Sequence, residues 1–215
     1  MKTDLARRQM VSQQVRAWNV FNQEVLNVLG SVARERFVPA GCEDVAYADT
    51  EIPLAHGQVM LRPIIDGRLL QALAPGTGDT VLEIGTGTGY LTACLARMSA
   101  SVTSIDIHED FIAAASRNLE TAEIENASVQ CMDAMAELPD GKFDAIAVTG
   151  SVRRIDERFV NALKPGGRLF LVVGESPAMN ALLITRNGEG RQQSILFETD
   201  IPALENIAEE PVFFF

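Results

Sequence analysis

Apolar positions recur along this chain at two spacings, and the change falls near residue 79. Before it, Leu5, Met10, Val11 and Val15, then Val20, Val25, Leu26, Val28 and Leu29, return at near-helical intervals. That spacing predicts helix over residues 4–36, with one break near 19–22 and another at Gly30. Residues 37–63 contain Pro39, Gly41, Pro53, Gly57 and Pro63 with little periodicity, so an irregular segment is expected. So long an irregular stretch inside a compact domain is usually functional or packed over a site. Residues 64–73 predict one more helix. From Thr80 onward short apolar runs alternate with helical patterns, as in a βαβ array. Strands are expected at 80–84, 101–106, 127–131, 143–149 and 168–173, and helices at 89–98, 109–121 and 155–163. Two further strands, 181–186 and 192–197, flank Asn187-Gly188, a strong hairpin signal. The pattern describes an α/β protein: a three-layer sandwich on a mostly parallel sheet, an antiparallel hairpin near its C-terminal end, and an N-terminal helical extension.

The strand at 80–84 runs into Gly85-Thr-Gly-Thr-Gly89 and then the amphipathic stretch Tyr90-Leu-Thr-Ala-Cys-Leu-Ala-Arg97. Strand, glycine turn and helix together let a ligand lie against bare backbone. A dinucleotide loop needs G-x-G-x-x-G, and its third glycine would fall on Tyr90. Glu83, just before the turn, would also be unhelpful beside a diphosphate, which wants the positive end of a helix. It suits an ammonium or a sulfonium. The G-x-G-x-G spacing is similar to the S-adenosylmethionine loop of Rossmann-like methyltransferases. Asp106 ends the next strand about 20 positions after Gly85, where a carboxylate accepts from ribose hydroxyls in doubly wound folds. Asp133 ends the third, where it could accept from an adenine amino group while Ala134 leaves room for the ring. The bland reading of each aspartate is a capping acid in the turn after a strand.

Length and composition fit that picture. At 215 residues the chain is expected to be one domain, 1–215, with an extension and site-covering segment at 1–78 and a Rossmann-like core at 79–215. A formal charge of −11 repels nucleic-acid phosphate at long range, although Arg153-Arg154 is a candidate local basic site. No apolar run approaches the roughly 20 residues that span a bilayer, and no secretory h-region follows Met1. Cys42, Cys94 and Cys131 are an odd count without metal-site spacing, which suggests a reducing, cytoplasmic setting. No metal is expected, because His56 and His108 are far apart in the chain and the cysteines are scattered.

Six segments occur in a telling order: Arg34-Glu-Arg-Phe-Val-Pro39, Ala46-Tyr-Ala-Asp49, Ile52-Pro-Leu-Ala-His-Gly-Gln58, the glycine loop from Val81 to Tyr90, Phe143-Asp-Ala-Ile146, and Leu163-Lys-Pro-Gly-Gly-Arg-Leu169. Together they resemble the protein-L-isoaspartate O-methyltransferase family from about residue 9 to 200. The glycine loop marks only the superfamily, whereas the Arg-x-Arg-Phe-Val-Pro and Gly57-Gln58 segments are family-specific. The resemblance implies S-adenosylmethionine as cofactor, S-adenosylhomocysteine as product, and methylation of the side carboxyl of isoaspartyl residues in a protein or peptide, which starts repair of damaged proteins. It implies a cofactor site built from Gln58, Val59, Met60, Glu83, Gly85, Thr86, Gly87, Gly89, Tyr90, Asp106, Ile107, Asp133 and Ala134. Leu61, Arg62 and Arg153 are the substrate-side candidates. No general base is needed, so no catalytic residue is expected: an ionised carboxylate displaces a good leaving group, and the protein places it and excludes water.

The substrate side departs from the family pattern. Family members usually read Gly-Gln-Thr-Ile-Ser-(Gln/Ala)-Pro where this chain reads Gly57-Gln-Val-Met-Leu-Arg-Pro63, so Leu61 replaces a serine whose hydroxyl is thought to hold the reacting carboxylate. Thr149-Gly-Ser-Val-Arg-Arg-Ile-Asp156 likewise replaces Thr-Ala-Ala-Pro-x-x-Ile-Pro. Other readings stay open at this point: a methyltransferase with another acceptor, such as a small metabolite or RNA; a cofactor-binding protein with little catalysis; and a nicotinamide oxidoreductase, which Tyr90 disfavours. His56 reads as a loop histidine with a backbone partner rather than a catalytic base, and His108 as a solvent-facing residue at a helix start. Phe213, Phe214 and Phe215 end the chain and call for cover from the domain or from a second subunit, as in a homodimer.

Overall fold

The computed structural model describes residues 2–188 and 190–207. The expected aromatic cluster at residues 213–215 lies outside them.

The N-terminal arm is helical, as the apolar spacing predicts, and its break has a tertiary cause. Helix α1 (Lys2–Gln9) continues as one π-helical stretch (Met10–Val15) and a 3-10 turn (Arg16–Trp18), then stops at Asn19 in the left-handed region. Helix α2 (Gln23–Ser31) restarts the chain, with Asn22 accepting from the amides of Glu24 and Val25 at 2.9 and 3.3 Å. Gln71 of helix α3 (Pro63–Leu73) fastens the break. It accepts from the amides of Phe21 and Asn22 and donates to the Asn19 carbonyl. The second expected break, at Gly30, is absent: α2 runs through it to Ser31, because Gly30 lies on the exposed face and has no packing to satisfy.

Between α2 and α3 the chain makes short 3-10 turns and one small antiparallel ladder, β1 (Ile52–Pro53) against β2 (Val59–Met60). The core sheet follows: β3 (Thr80–Ile84), β4 (Ser101–Asp106), β5 (Ala127–Cys131), β6 (Phe143–Val152), β7 (Leu163–Glu175), β8 (Ala178–Asn187) and β9 (Gly190–Thr199). Helices α4 (Tyr90–Ala96), α5 (Glu109–Thr121) and α6 (Glu157–Asn161) connect the parallel strands. The sheet order is β5-β4-β3-β6-β7-β8-β9, parallel through β7 and antiparallel for the last two. This is the mostly parallel Rossmann-like sandwich expected, closed by two antiparallel strands.

The four strands from β6 to β9 all outrun their sequence signal, and for β6 and β7 the cause is visible. In β7, Leu163 already pairs with Phe143, and the next pair is Ala145 with Arg168, so Lys164-Pro-Gly-Gly167 bulges out of the ladder rather than ending a helix. β6 extends to Val152 because a C-terminal segment lies along it: Ser151 donates to the Pro202 carbonyl and accepts from the Leu204 amide.

Side chains alternate across the central strands. Val81, Ala145 and Ala147 pack with the N-terminal arm, α3 and α4 on one face; Leu82, Ile84, Ile146 and Val148 pack with α6 on the other. Glu83 therefore points into an apolar layer, where it is fully buried.

Candidate active site

Strand order reverses between β3 and β6, and in open α/β sheets a crevice at such a reversal, outside the carboxyl ends of the strands, is the ligand site. Two cavities meet there. One, with about 700 Å³ of open space, lies over the ends of β3, β4, β5 and β6. The other, about 340 Å³, lies between the glycine turn, the β1–β2 segment and the start of α4. Leu54, Val59, Gly85, Gly87 and Thr149 line both.

The glycine turn is shaped for close approach. Gly85 has φ 98°, and a Cβ there would stand 2.1 Å from the Thr149 hydroxyl. That hydroxyl is already committed to the carbonyls of Ile84 and Gly85, at 3.0 and 2.9 Å, and so stitches β6 to the end of β3. Gly87 has φ 50° and faces Leu54. Only a residue without a side chain fits such a backbone cheaply. Gly89 serves packing instead, backing onto Ala115 of α5, and lines neither cavity.

Most of the expected residues converge here. Gln58, Val59, Asp106, Ile107, Asp133 and Ala134 line the larger cavity. Met60, Leu61, Glu83, Thr86 and Tyr90 line the smaller. Asp106 accepts from the amides of Gly87 and His108, at 2.9 and 3.0 Å, tying the turn to its own strand end. Asp133 accepts from the amide of Met135 and the side-chain amide of Asn206. The capping role is thus real, and it coexists with a place in the cavity wall. Arg62 stands at the N-cap position of α3 without a side-chain cap hydrogen bond, and Arg153 pairs with Glu175 at 2.8 Å along a separate groove; neither lines the two cavities.

Glu83 is the electrostatic centre of the smaller cavity. Ser104 and Thr92 both donate to its Oε2, Ser104 at 2.6 Å, while Oε1 is buried without a protein partner. Burial above all, with Asp66 and Asp106 nearby, pushes the Glu83 carboxyl up to about 8. An orphaned carboxyl oxygen in a cavity wall fits an ammonium donor, the group a bound methionine end would present.

Beneath that cavity sits Arg34, fully buried. It donates to the Ala46 carbonyl at 2.9 Å, to Asp66 Oδ2 at 2.7 Å and to the Leu61 carbonyl at 2.5 Å, and its guanidinium lies 4.6 Å from the Tyr90 ring centre. Asp66 is pushed up to about 6 by burial, against the pull of Arg34. The arginine that opens the Arg-x-Arg-Phe-Val-Pro segment is thus the anchor of the site-covering segment.

Sequence reasoning missed several wall residues. Thr149, Met132, Phe111 and the 202–205 segment enter through tertiary contacts that no local spacing encodes. Thr92 did leave a trace, as a hydroxyl at a buried position of an otherwise apolar helix, whereas Ser104 shares its strand with Ser101 and Thr103 and does not stand out.

This sheet, with its glycine crevice and strand-end aspartates, defines a Rossmann-like, S-adenosylmethionine-dependent methyltransferase. The family model for Protein-L-isoaspartate(D-aspartate) O-methyltransferase (PCMT) matches residues 6–199. The chain is 37% identical to the Protein-L-isoaspartate O-methyltransferase of Koribacter versatilis, over 88% of its own length and 85% of the relative's. To the enzyme of that name from Methanoculleus marisnigri it is 34% identical, with 91% and 90% covered. The chain belongs to the protein-L-isoaspartate(D-aspartate) O-methyltransferase family. Its fold also matches a putative protein-L-isoaspartate O-methyltransferase from Plasmodium falciparum solved with S-adenosyl-L-homocysteine, with a TM-score of 0.79, 21% identity, and 93% and 98% of the two chains covered.

Proposed function

We propose that this protein uses S-adenosylmethionine to methylate the side carboxylate of isoaspartyl residues in proteins or peptides, the first step of their repair. The observation that carries the reading is the meeting of the two cavities at Gly85, Gly87 and Thr149. An elongated ligand with a nucleoside at one end and an amino acid at the other has its middle there. Asp106 would hold the ribose, Asp133 and Ala134 the adenine edge, and Glu83 with the glycine turn the ammonium end. When bound, S-adenosylmethionine supplies a methyl on a sulfonium, which an ionised carboxylate can take without a general base. The chain's task is then to position the acceptor and keep water out.

Leu61 shapes that acceptor side. It is buried against the core and offers no hydroxyl, while its carbonyl is held by Arg34. Val59, Met60 and Leu61 therefore present an apolar, water-excluding wall. Losing one donor to a desolvated anion costs about 1.5–3 kcal/mol, which slows an enzyme without abolishing it. The three cysteines are free thiols, with Cys94 fully buried, which supports a reducing, cytoplasmic setting.

The test is methyl transfer from labelled S-adenosylmethionine to an isoaspartyl peptide, with Leu61→Ser alongside. Base-labile ester should form with the natural chain, and the variant should raise kcat/KM by roughly tenfold or more, the worth of one such donor. Cofactor binding with no ester from either protein would overturn the reading.

A further inference from the structure

The fold brings His56 and His108 into contact. Their rings stack at 3.8 Å with an interplanar angle of 7°, and Phe111 meets both edge-on. His56 belongs to the site-covering segment, whereas His108 is the N-cap residue of α5 and Asp110 lies in its first turn. One ligand atom from each of His56, His108 and Asp110 lies within 4.8 Å of the other two. His56 Nε2 is already 3.0 Å from Asp110 Oδ2. Glu205, from the C-terminal segment, sits 2.8 Å from His108 Nε2.

We infer that His56, His108 and Asp110 form a site for a divalent transition-metal ion such as Zn2+, placed at the mouth of the larger cavity. The donor set is right for such an ion: two imidazoles and a carboxylate, with a further position open to water. Donors around tetrahedral Zn2+ with bonds of about 2.0–2.1 Å lie roughly 3.3 Å apart. The His56–Asp110 pair is at that spacing already; because an imidazole binds an ion in its own plane, the two rings must turn out of their parallel stack to share one, and the exposed His56 and Asp110 have room to do so. The charges balance as well, since Asp110 and neighbouring Glu205 offset a divalent cation. In binding, neutral His56 changes tautomer: water takes the Nε2 proton that it shares with Asp110 and returns one to Nδ1, so the Nε2 lone pair is freed for the ion, the ring stays neutral and no co-reactant is needed. Glu205 accepts the Nε2 proton of His108 and orients that ring from behind.

Such an ion would join residues 55–57 to the start of α5, two elements that now meet through the His56 ring's contacts with His108 and Phe111 and through the His56–Asp110 hydrogen bond. Leu54, Gln58 and His108 line the cavity beside it. The ion would therefore hold the covering segment closed over the nucleoside end.

The experiment is calorimetry of the chelator-stripped full chain with Zn2+, without cofactor, so it is independent of the methyltransferase reading. One saturable site is expected, weakened at least tenfold in His56→Ala, in His108→Gln and in the exposed Asp110→Asn, and unchanged in Cys131→Ser. Hydrogen exchange of residues 55–60 should slow when Zn2+ is added to the natural chain. Equal affinity in the three variants, or the absence of saturable binding in the natural chain, would overturn the inference.

Discussion

Replacing Arg34 with methionine removes a charge from the most enclosed place in the protein while keeping much of the side chain's length. The natural guanidinium makes three hydrogen bonds, to Ala46, Asp66 and Leu61, and lies over Tyr90, all without contact with water. Breaking a buried ion pair by deleting one partner costs about 3–5 kcal/mol. Each carbonyl left without a donor adds about 1–3 kcal/mol. One effect works the other way. Asp66, already raised to about 6 beside the arginine, takes up a proton at neutral pH once the cation is gone, so no bare charge stays buried. The net loss should be about 4 kcal/mol, or roughly 8–16 °C in Tm for a domain of this size. Urea unfolding followed by circular dichroism measures it. Asp66→Asn alone should cost a similar amount, because it strands the guanidinium. The double variant should cost about 5–6 kcal/mol rather than the additive value of about 8, a coupling of about 2–3 kcal/mol. Additive losses, or an Arg34→Met loss below about 1 kcal/mol, would refute this account of the anchor.

Two other substitutions test the cavity walls. Glu83 holds its proton more tightly in the folded chain, with its pKa raised from 4.5 to about 8, so its contribution to stability is full below about 4.5 and is lost as pH rises through about 8. Glu83→Gln should flatten that part of the Tm-against-pH curve, and parallel curves for the two proteins would contradict it. Asp106→Ala deprives the Gly87 and His108 amides of their acceptor, and should weaken cofactor binding about 10- to 100-fold, or roughly 1.4–2.8 kcal/mol by calorimetry. Unchanged affinity would remove Asp106 from the site.

What could be read from the chain was the part that local physics governs. The β3–turn–α4 unit, the acids at the ends of β4 and β5, and the Asn187-Gly188 hairpin follow from periodicity and turn chemistry, and they were found where expected. What escaped were features made by long-range contact. Arg34 was visible as part of a recognisable segment, yet nothing local said that its guanidinium would be buried against Asp66. The two histidines look unrelated in the sequence because two helices and three strands separate them in the chain. Arg62 and Arg153 are plausible anion partners by charge alone, and their setting could not be read locally: Arg62 stands at the start of α3 and Arg153 pairs with Glu175.

The reach of Arg34 has a consequence for inheritance. A chimaera that grafts the N-terminal arm of one relative onto the core of another would leave the main glycine turn untouched, and would still risk an empty socket at Asp66. Positions 34, 61 and 66 belong to three different segments and act as one latch, so they should be exchanged together or left alone.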